Sequence, residues 1–155
     1  MTNRQIMLLA AGGSLALLVG AFLFQALGYA PCKLCLWQRW PHAFAIALGL
    51  IVLAWRPLPA LAWAGALAML ASAGLGLYHT GVERGWWEGP SSCSATAIDG
   101  LSTEDLFNQI MTAPLIRCDE VAWQMFGLSM ASWNLLASLA FAGLWVLAAR
   151  AALRD

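Results

Sequence analysis

Charged side chains are scarce in this sequence. Asp, Glu, Lys and Arg make up 10% of its 155 residues, whereas a soluble domain of this length carries about 25%. That is too few to coat a water-facing surface. The net charge is zero, so no basic field points to nucleic acid. A glycine-rich phosphate loop is missing, and no His follows the one C-x-x-C, as a c-type haem site would require. What fills the chain instead is apolar, 61% of it hydrophobic. Lipid solvates such side chains directly, so the sequence reads as one integral membrane domain over residues 1–155.

A membrane helix needs about 20 mostly apolar residues. Residues 6–29 provide them without an internal charge, 36–55 do so once Gln38 and Arg39 are taken in, and 60–78 follow the Arg56-Pro57-Leu58-Pro59 corner. Residues 131–151 make a fourth span. The expected fold is an all-α membrane protein, a four-transmembrane-helix bundle. The first span has the outline of a signal peptide, with Arg4 as its basic end and Ala26-Leu27-Gly28 as a cleavage-like site. Its long apolar core and the three spans after it favour a retained helix. The prolines that bound the spans sit near first turns or between elements, where helices tolerate them.

With four spans, both termini share a side with the Arg56 corner, and segments of about 30–39 and 79–130 share the other. Every acidic residue except Asp155 lies in the longer segment. The cations split evenly: Arg4, Arg56, Arg150 and Arg154 on the terminal side, Lys33, Arg39, Arg84 and Arg117 opposite. The positive-inside rule is therefore weak here. The cysteines decide the expectation, because all four lie on the loop side, which should be the oxidising one, with the termini cytoplasmic. Trp37, Trp40, Trp86, Trp87 and Trp133 suit an interface there. Within the long loop, Ser102-Thr103-Glu104-Asp105 looks like a helix start. Leu106, Phe107, Ile110 and Met111 then recur at helical spacing, predicting a short amphipathic helix on the bilayer surface, or else an ordinary packed loop helix.

The stretch Pro31-Cys32-Lys33-Leu34-Cys35 places two thiols in a C-x-x-C step just before a helix. That spacing permits a reversible disulfide, and a helix N-terminus stabilises a thiolate by its partial positive charge. Lys33 and Arg39 add cationic field. Cys35, nearer the expected helix, should carry the stabilised thiolate, and the reduced pair should be a good electron donor. A zinc site would want a second close pair, but 24 residues separate Cys93 from Cys118. A permanent Cys32–Cys35 staple would close too small a loop to remove much chain entropy. Redox use therefore ranks first.

Cys93 sits in Gly89-Pro90-Ser91-Ser92-Cys93-Ser94, a small-residue stretch that another protein's thiolate could reach, and Cys118 sits in Ile116-Arg117-Cys118-Asp119. A loop-closing staple would contribute about 3 kcal/mol or more at this loop length. The C-x-x-C on the same membrane face shifts the balance toward exchange. Arg39 follows Cys35 by four residues, so both share one helix face. There it could serve a thiolate and the anion of a reduced two-electron acceptor, or be only an interfacial anchor. His79, just past the third apolar run, could donate to the same acceptor or be merely solvated.

Together these residues resemble the DsbB family, the quinone-linked oxidases of bacterial disulfide formation. The resemblance covers nearly the whole chain. It rests on four spans, Pro31-Cys32-Lys33-Leu34-Cys35 followed by Arg39, Tyr78-His79-Thr80 after span three, Cys93 and Cys118 in the long loop, and Phe126-Gly127-Leu128-Ser129-Met130 before span four. It implies a multi-pass protein of the bacterial inner membrane with periplasmic cysteines, reoxidising a DsbA-like thiol oxidase. Cys93 would be attacked by the partner and would be disulfide-bonded to Cys118. Electrons would pass to Cys32–Cys35, with Cys32 meeting Cys118. Cys35, Arg39 and His79 would face a quinone, ubiquinone or menaquinone. Gln38 departs from the acidic residue expected at its position, which puts in doubt any carboxylate role there.

Two other readings compete. A reductase of the vitamin K epoxide reductase type carries its quinone-facing C-x-x-C in a late span, whereas here it precedes span two. A non-enzymatic membrane scaffold would use two disulfides only to stiffen its outer face.

Overall fold

The computed structural model describes residues 1–90, 102, 104, 107, 111 and 117–152. Four long helices carry the apolar runs: α1 (Asn3–Ala26), α2 (Lys33–Ala54), α3 (Pro59–Glu83) and α4 (Met130–Ala152). Their most apolar stretches have mean hydropathies of 2.3, 1.2, 1.7 and 1.8, and each helix is long enough to cross a bilayer. The protein is all-α and multi-pass. Glu104, Phe107 and Met111 are helical and Ser102 precedes them outside the helix; the other residues of the amphipathic helix expected over 102–111 lie outside the described residues, as does Cys93.

Local chemistry sets where each helix begins. Thr2 caps α1 in a reciprocal box with Gln5, its backbone N–H donating to Gln5 Oε1 at 2.9 Å. The helix gives way at Gly28, whose φ of 99° suits glycine. Pro59 occupies the first turn of α3, where its missing N–H costs nothing. α2 starts at Lys33 because Cys32 caps it, earlier than the apolar run near 36 suggests. Pro41 consequently falls inside α2, not in its first turn, and cannot donate to the carbonyl four residues back.

The helices pack in a ring, α1 on α2 and α4, and α3 on α2 and α4. Met7, Ala10, Ala45, Val52, Ala62, Met69, Trp145 and Ala148 fill the interior. Small residues bring the backbones together, as expected where lipid gives helices no hydrophobic incentive to associate. A Cβ at Gly76 would lie 3.0 Å from the Leu135 nitrogen and 3.1 Å from the Ala131 oxygen. Leu23, Leu50, Leu67 and Leu147 point outward and are exposed, the apolar coat that a bilayer requires.

At one end of the bundle, Arg4 donates to the Leu53 carbonyl at 2.8 Å, placing the start of α1 beside the finish of α2. At the other end a small hairpin precedes α4, with β1 (Gln124–Met125) antiparallel to β2 (Leu128–Ser129). Its two-residue loop, Phe126–Gly127, has φ of 53° and 75°, the left-handed pair that a tight hairpin with native twist needs. Ser129 then caps α4 by accepting the Ser132 N–H at 3.2 Å.

Candidate functional site: a thiol pair, a histidine and a buried disulfide sulfur

The site lies at the hairpin end. Cys32 adopts extended backbone (φ −73°, ψ 171°) at the N-cap of α2, and its sulfur accepts the Cys35 N–H at 3.2 Å. A cysteine at this position does what serine or aspartate does at other helix starts, and a thiolate gains most from it. The Cys35 sulfur is 2.8 Å from that of Cys32, and His79 Nε2 is 3.5 Å from it. Both cysteines are free thiols, Cys32 buried and Cys35 half-buried.

The stabilised thiolate therefore belongs to Cys32 and not to Cys35. The reason is geometric: a cap side chain folds back onto the N–H groups of the first turn, and α2 begins three residues earlier than its apolar run. The Cys35 thiol donating to Cys32, aided by His79, outweighs burial and brings the Cys32 thiol down from 9.0 to about 4. Neither cation expected to help is directed there. Lys33 lies 5.8 Å over the Trp37 ring. Arg39 turns to α1, donating to Gln25 Oε1 at 2.8 Å and the Ala21 carbonyl at 3.4 Å, with its guanidinium 4.8 Å over Phe22.

A pH test follows. Alkylation of Cys32 in the reduced protein is expected to stay flat from neutral into mildly acid solution and to fall only as pH nears about 4. A midpoint near an ordinary thiol value would contradict the capped thiolate. Because the folded value lies below the unfolded one, this thiolate's contribution to stability is complete above about 9 and is lost as pH falls to about 4.

Cys118 is disulfide-bonded and 1% exposed. It packs in one cluster with Cys32, Leu34 and Val82, against which Cys35 and Tyr78 also lie. The structure thus brings together four of the residues singled out in the sequence: Cys32, Cys35, Cys118 and His79. Arg39 stands one turn along α2 from Cys35 but is bonded to α1. Cys32, Cys35 and His79 offer three metal-ligating atoms within 4.8 Å of one another, and no fourth joins them among the described residues.

Of the further residues around the site, only Gln38 stood out in the sequence. Glu83, one turn after His79 on α3, brings Oε1 to 3.8 Å from His79 Nε2 with its side chain 6% exposed. Gln38 and His42 on α2, Ser72 on α3, and Asn134 and Ser138 on α4 form a buried polar network behind the histidine. Its signal was present in the sequence: polar residues four apart in apolar spans are rare and face the bundle interior.

Two hollows stand out among the described residues. One of about 540 Å³ opens to the lipid face between α2 and α3, lined by Trp40, Pro41, Phe44, Ala64, Leu67, Ala68 and Ala71. A second, about 250 Å³, lies at the hairpin end among Glu83, Arg84, Val121, Gln124, Gly127 and Ser129. Neither is lined by Cys35 or Arg39.

A bilayer-spanning bundle that keeps a capped thiolate, a partner thiol and a buried disulfide sulfur at one end is a membrane thiol oxidoreductase. The chain belongs to the DsbB family: residues 3–148 match the model of "Disulfide bond formation protein DsbB". It is 31% identical over 156 residues to disulfide bond formation protein B of Albidiferax ferrireducens, covering 88% of this chain and 83% of that protein. It is 29% identical over 136 residues to disulfide bond formation protein B 2 of Pseudomonas syringae pv. syringae, covering 83% and 75%. An uncharacterized protein of Rickettsia prowazekii is 33% identical over 114 residues, covering 72% of this chain and 66% of that one. No solved structure matches the chain.

Proposed function

We propose that this disulfide bond formation protein is a quinone-linked thiol oxidase of the bacterial inner membrane, with its cysteine end periplasmic and both termini cytoplasmic. The observation that carries the reading is the packing of buried Cys118 against Cys32, whose sulfur is held as a thiolate beside Cys35.

In this reading a reduced DsbA-like protein attacks Cys93 of a Cys93–Cys118 disulfide through its thiolate, forming a mixed disulfide and releasing Cys118. The partner's second thiol resolves that bond and leaves as a disulfide. Cys118 attacks the Cys32 sulfur of a Cys32–Cys35 disulfide, and Cys93 then closes on Cys118. The net transfer leaves two thiols at Cys32 and Cys35 and a disulfide on the partner, and thiolates are the nucleophiles throughout.

A membrane quinone, ubiquinone or menaquinone, would supply an acceptor for two electrons and two protons when bound beside this pair. The residues that would hold it are Arg39 and Cys35, while His79, which the resemblance also turned toward a quinone, would act through the Cys32–Cys35 pair because its ring nitrogens face Gln38 and Cys32. Their chemistry suits it: Arg39 offers guanidinium N–H groups to an anionic ring oxygen beside the apolar face of Phe22, and Cys35 is the less buried sulfur of the pair. Position 38 is an amide here, so a carboxylate near the histidine comes from Glu83 instead.

The test mixes purified protein with a reduced periplasmic dithiol protein and ubiquinone and follows quinone absorbance. Thiol-dependent reduction is expected. A scaffold would leave the quinone oxidised and all four cysteines unreactive. Arg39→Leu is expected to raise the quinone KM about tenfold to a hundredfold, the loss of ~1.5–3 kcal/mol from a charge-assisted hydrogen bond. Its disulfides should still form; unchanged quinone kinetics would remove Arg39 from the site.

A further inference from the structure

The buried network behind His79 has a direction, and one backbone atom sets it. Gln38 Nε2 lies 3.2 Å from the Leu34 carbonyl, which can only accept. The Gln38 amide nitrogen must therefore be on that side, because its oxygen there would set two acceptors against each other. The same nitrogen is 2.9 Å from His79 Nδ1. An amide nitrogen only donates, so Nδ1 must be the bare, accepting nitrogen of the ring and Nε2 must carry the proton.

The surroundings of Nε2 agree. The groups that meet it among the described residues all accept: the Cys32 sulfur at 3.5 Å, the Glu83 carboxylate at 3.8 Å and the backbone of Cys118. Asn134 then fixes the Gln38 oxygen by donating to Oε1 at 2.7 Å. With its own nitrogen so engaged, Asn134 presents Oδ1 to His42 Nε2 at 2.8 Å. That assigns the His42 proton to Nε2 as well and leaves its Nδ1 buried without a partner. A chain of donors and acceptors thus runs from α4 through α2 to the histidine on α3 and ends at the reactive sulfur.

We propose that Gln38 and Asn134 are positioning residues that hold His79 as the neutral Nε2–H tautomer, aiming one hydrogen bond at the Cys32 thiolate. This deepens the thiol-exchange reading and rests on it for its purpose, though not for its geometry. Two consequences follow. When Cys32 is expelled from a Cys32–Cys118 disulfide, the same N–H is already directed at the leaving sulfur and needs no rearrangement to receive its charge. Metal binding at Cys32, Cys35 and His79 is also opposed, since a metal needs the Nε2 lone pair, which the tautomer occupies with a proton.

The test uses the reduced full-length protein in detergent, with neither quinone nor protein partner present, so its failure is separable from failure of the oxidase reading. Imidazole ¹⁵N shifts of His79 are expected to show Nε2 protonated and Nδ1 bare. Gln38→Met, close in size but unable to donate, is expected to give mixed tautomers and to raise the pH midpoint of Cys32 alkylation by about one unit, the worth of one hydrogen bond. Asn134→Leu is expected to move both readouts the same way through Gln38. Gln38→Asn probes rescue: a shorter amide that restores the native ¹⁵N pattern supports positioning by the donor. Protonation of Nδ1 in the native protein, as the other tautomer or as imidazolium, overturns the proposal without any variant. So does a Gln38→Met protein in which both the ¹⁵N pattern and the midpoint are unchanged.

Discussion

Cys35→Ala protein is expected to reduce quinone no faster than the uncatalysed background, a loss of ~10³-fold or more of the kind that follows removal of a reacting group. Cys35 is the less buried of the paired sulfurs and stands one turn from Arg39, whereas Cys32 is turned inward to His79 and Cys118. Without Cys35, the Cys32 thiolate keeps its helix N-terminus and its histidine but has no thiol to close upon. It faces Cys118 in the same cluster. Attack there forms a Cys32–Cys118 disulfide and frees one thiolate, with no change in oxidation level. Mass mapping of Cys35→Ala protein is therefore expected to find Cys32 bonded to Cys118 and Cys93 alkylated. Quinone reduction at the native rate, or a variant whose Cys32 stays free beside an intact Cys118 disulfide, would break the proposed order of transfer. Cys93→Ala separates the other half: partner capture should vanish while the Cys32–Cys35 pair still forms.

A large effect on the fold is expected at Gly76, where the clash would be with backbone. A side chain there meets the backbone nitrogen and Cα of Leu135 at 3.0 and 3.2 Å and the Ala131 oxygen at 3.1 Å. Backbone atoms cannot rotate aside, so Gly76→Leu must force α3 and α4 apart. Overpacking costs about 1–3 kcal/mol in well-packed interiors, and nearest neighbours that are all backbone put this site at the upper end. Thermal unfolding in detergent is expected to shift down by about 5–10 °C. Gly74→Leu is the control on the same helix, since nothing lies within 4 Å of a Cβ there, and it should leave the midpoint nearly in place. Equal shifts for the two would mean that helix propensity, not the α3–α4 approach, governs the loss. Asn134 lies beside Leu135, so Gly76→Leu should also loosen the Gln38 amide and blur the His79 tautomer.

How much of this could be read from the chain depends on how local each cause is. The four apolar runs are visible because hydropathy is a property of consecutive residues, and the C-x-x-C because its chemistry is confined to four positions. Which of its sulfurs is capped turned on where α2 begins. Starting the helix near the apolar run made Cys35 the thiolate, whereas a start at Lys33 gives the role to Cys32. Arg39 was legible as an unusual cation at a span edge, but its partner Gln25 comes from another helix, and no local pattern named it. Gln38 and Asn134 are 96 positions apart; only their repeats, with His42 and Ser138 one turn further on, betrayed a shared interior face. The hairpin before α4 was missed because its turn is Phe126–Gly127, without the Asn-Gly or Asp-Gly that usually announces such a turn.

The burial of Cys118 makes its disulfide chemically two-sided. With 1% of its surface open, that sulfur offers an arriving protein no line of approach, and in-line attack on a disulfide must come from behind the sulfur that is struck. An outside nucleophile is confined to the other atom of the bond, so the sulfur always expelled is the one already seated against Cys32. An outside thiol that opens the bond therefore frees its sulfur directly beside the inner pair.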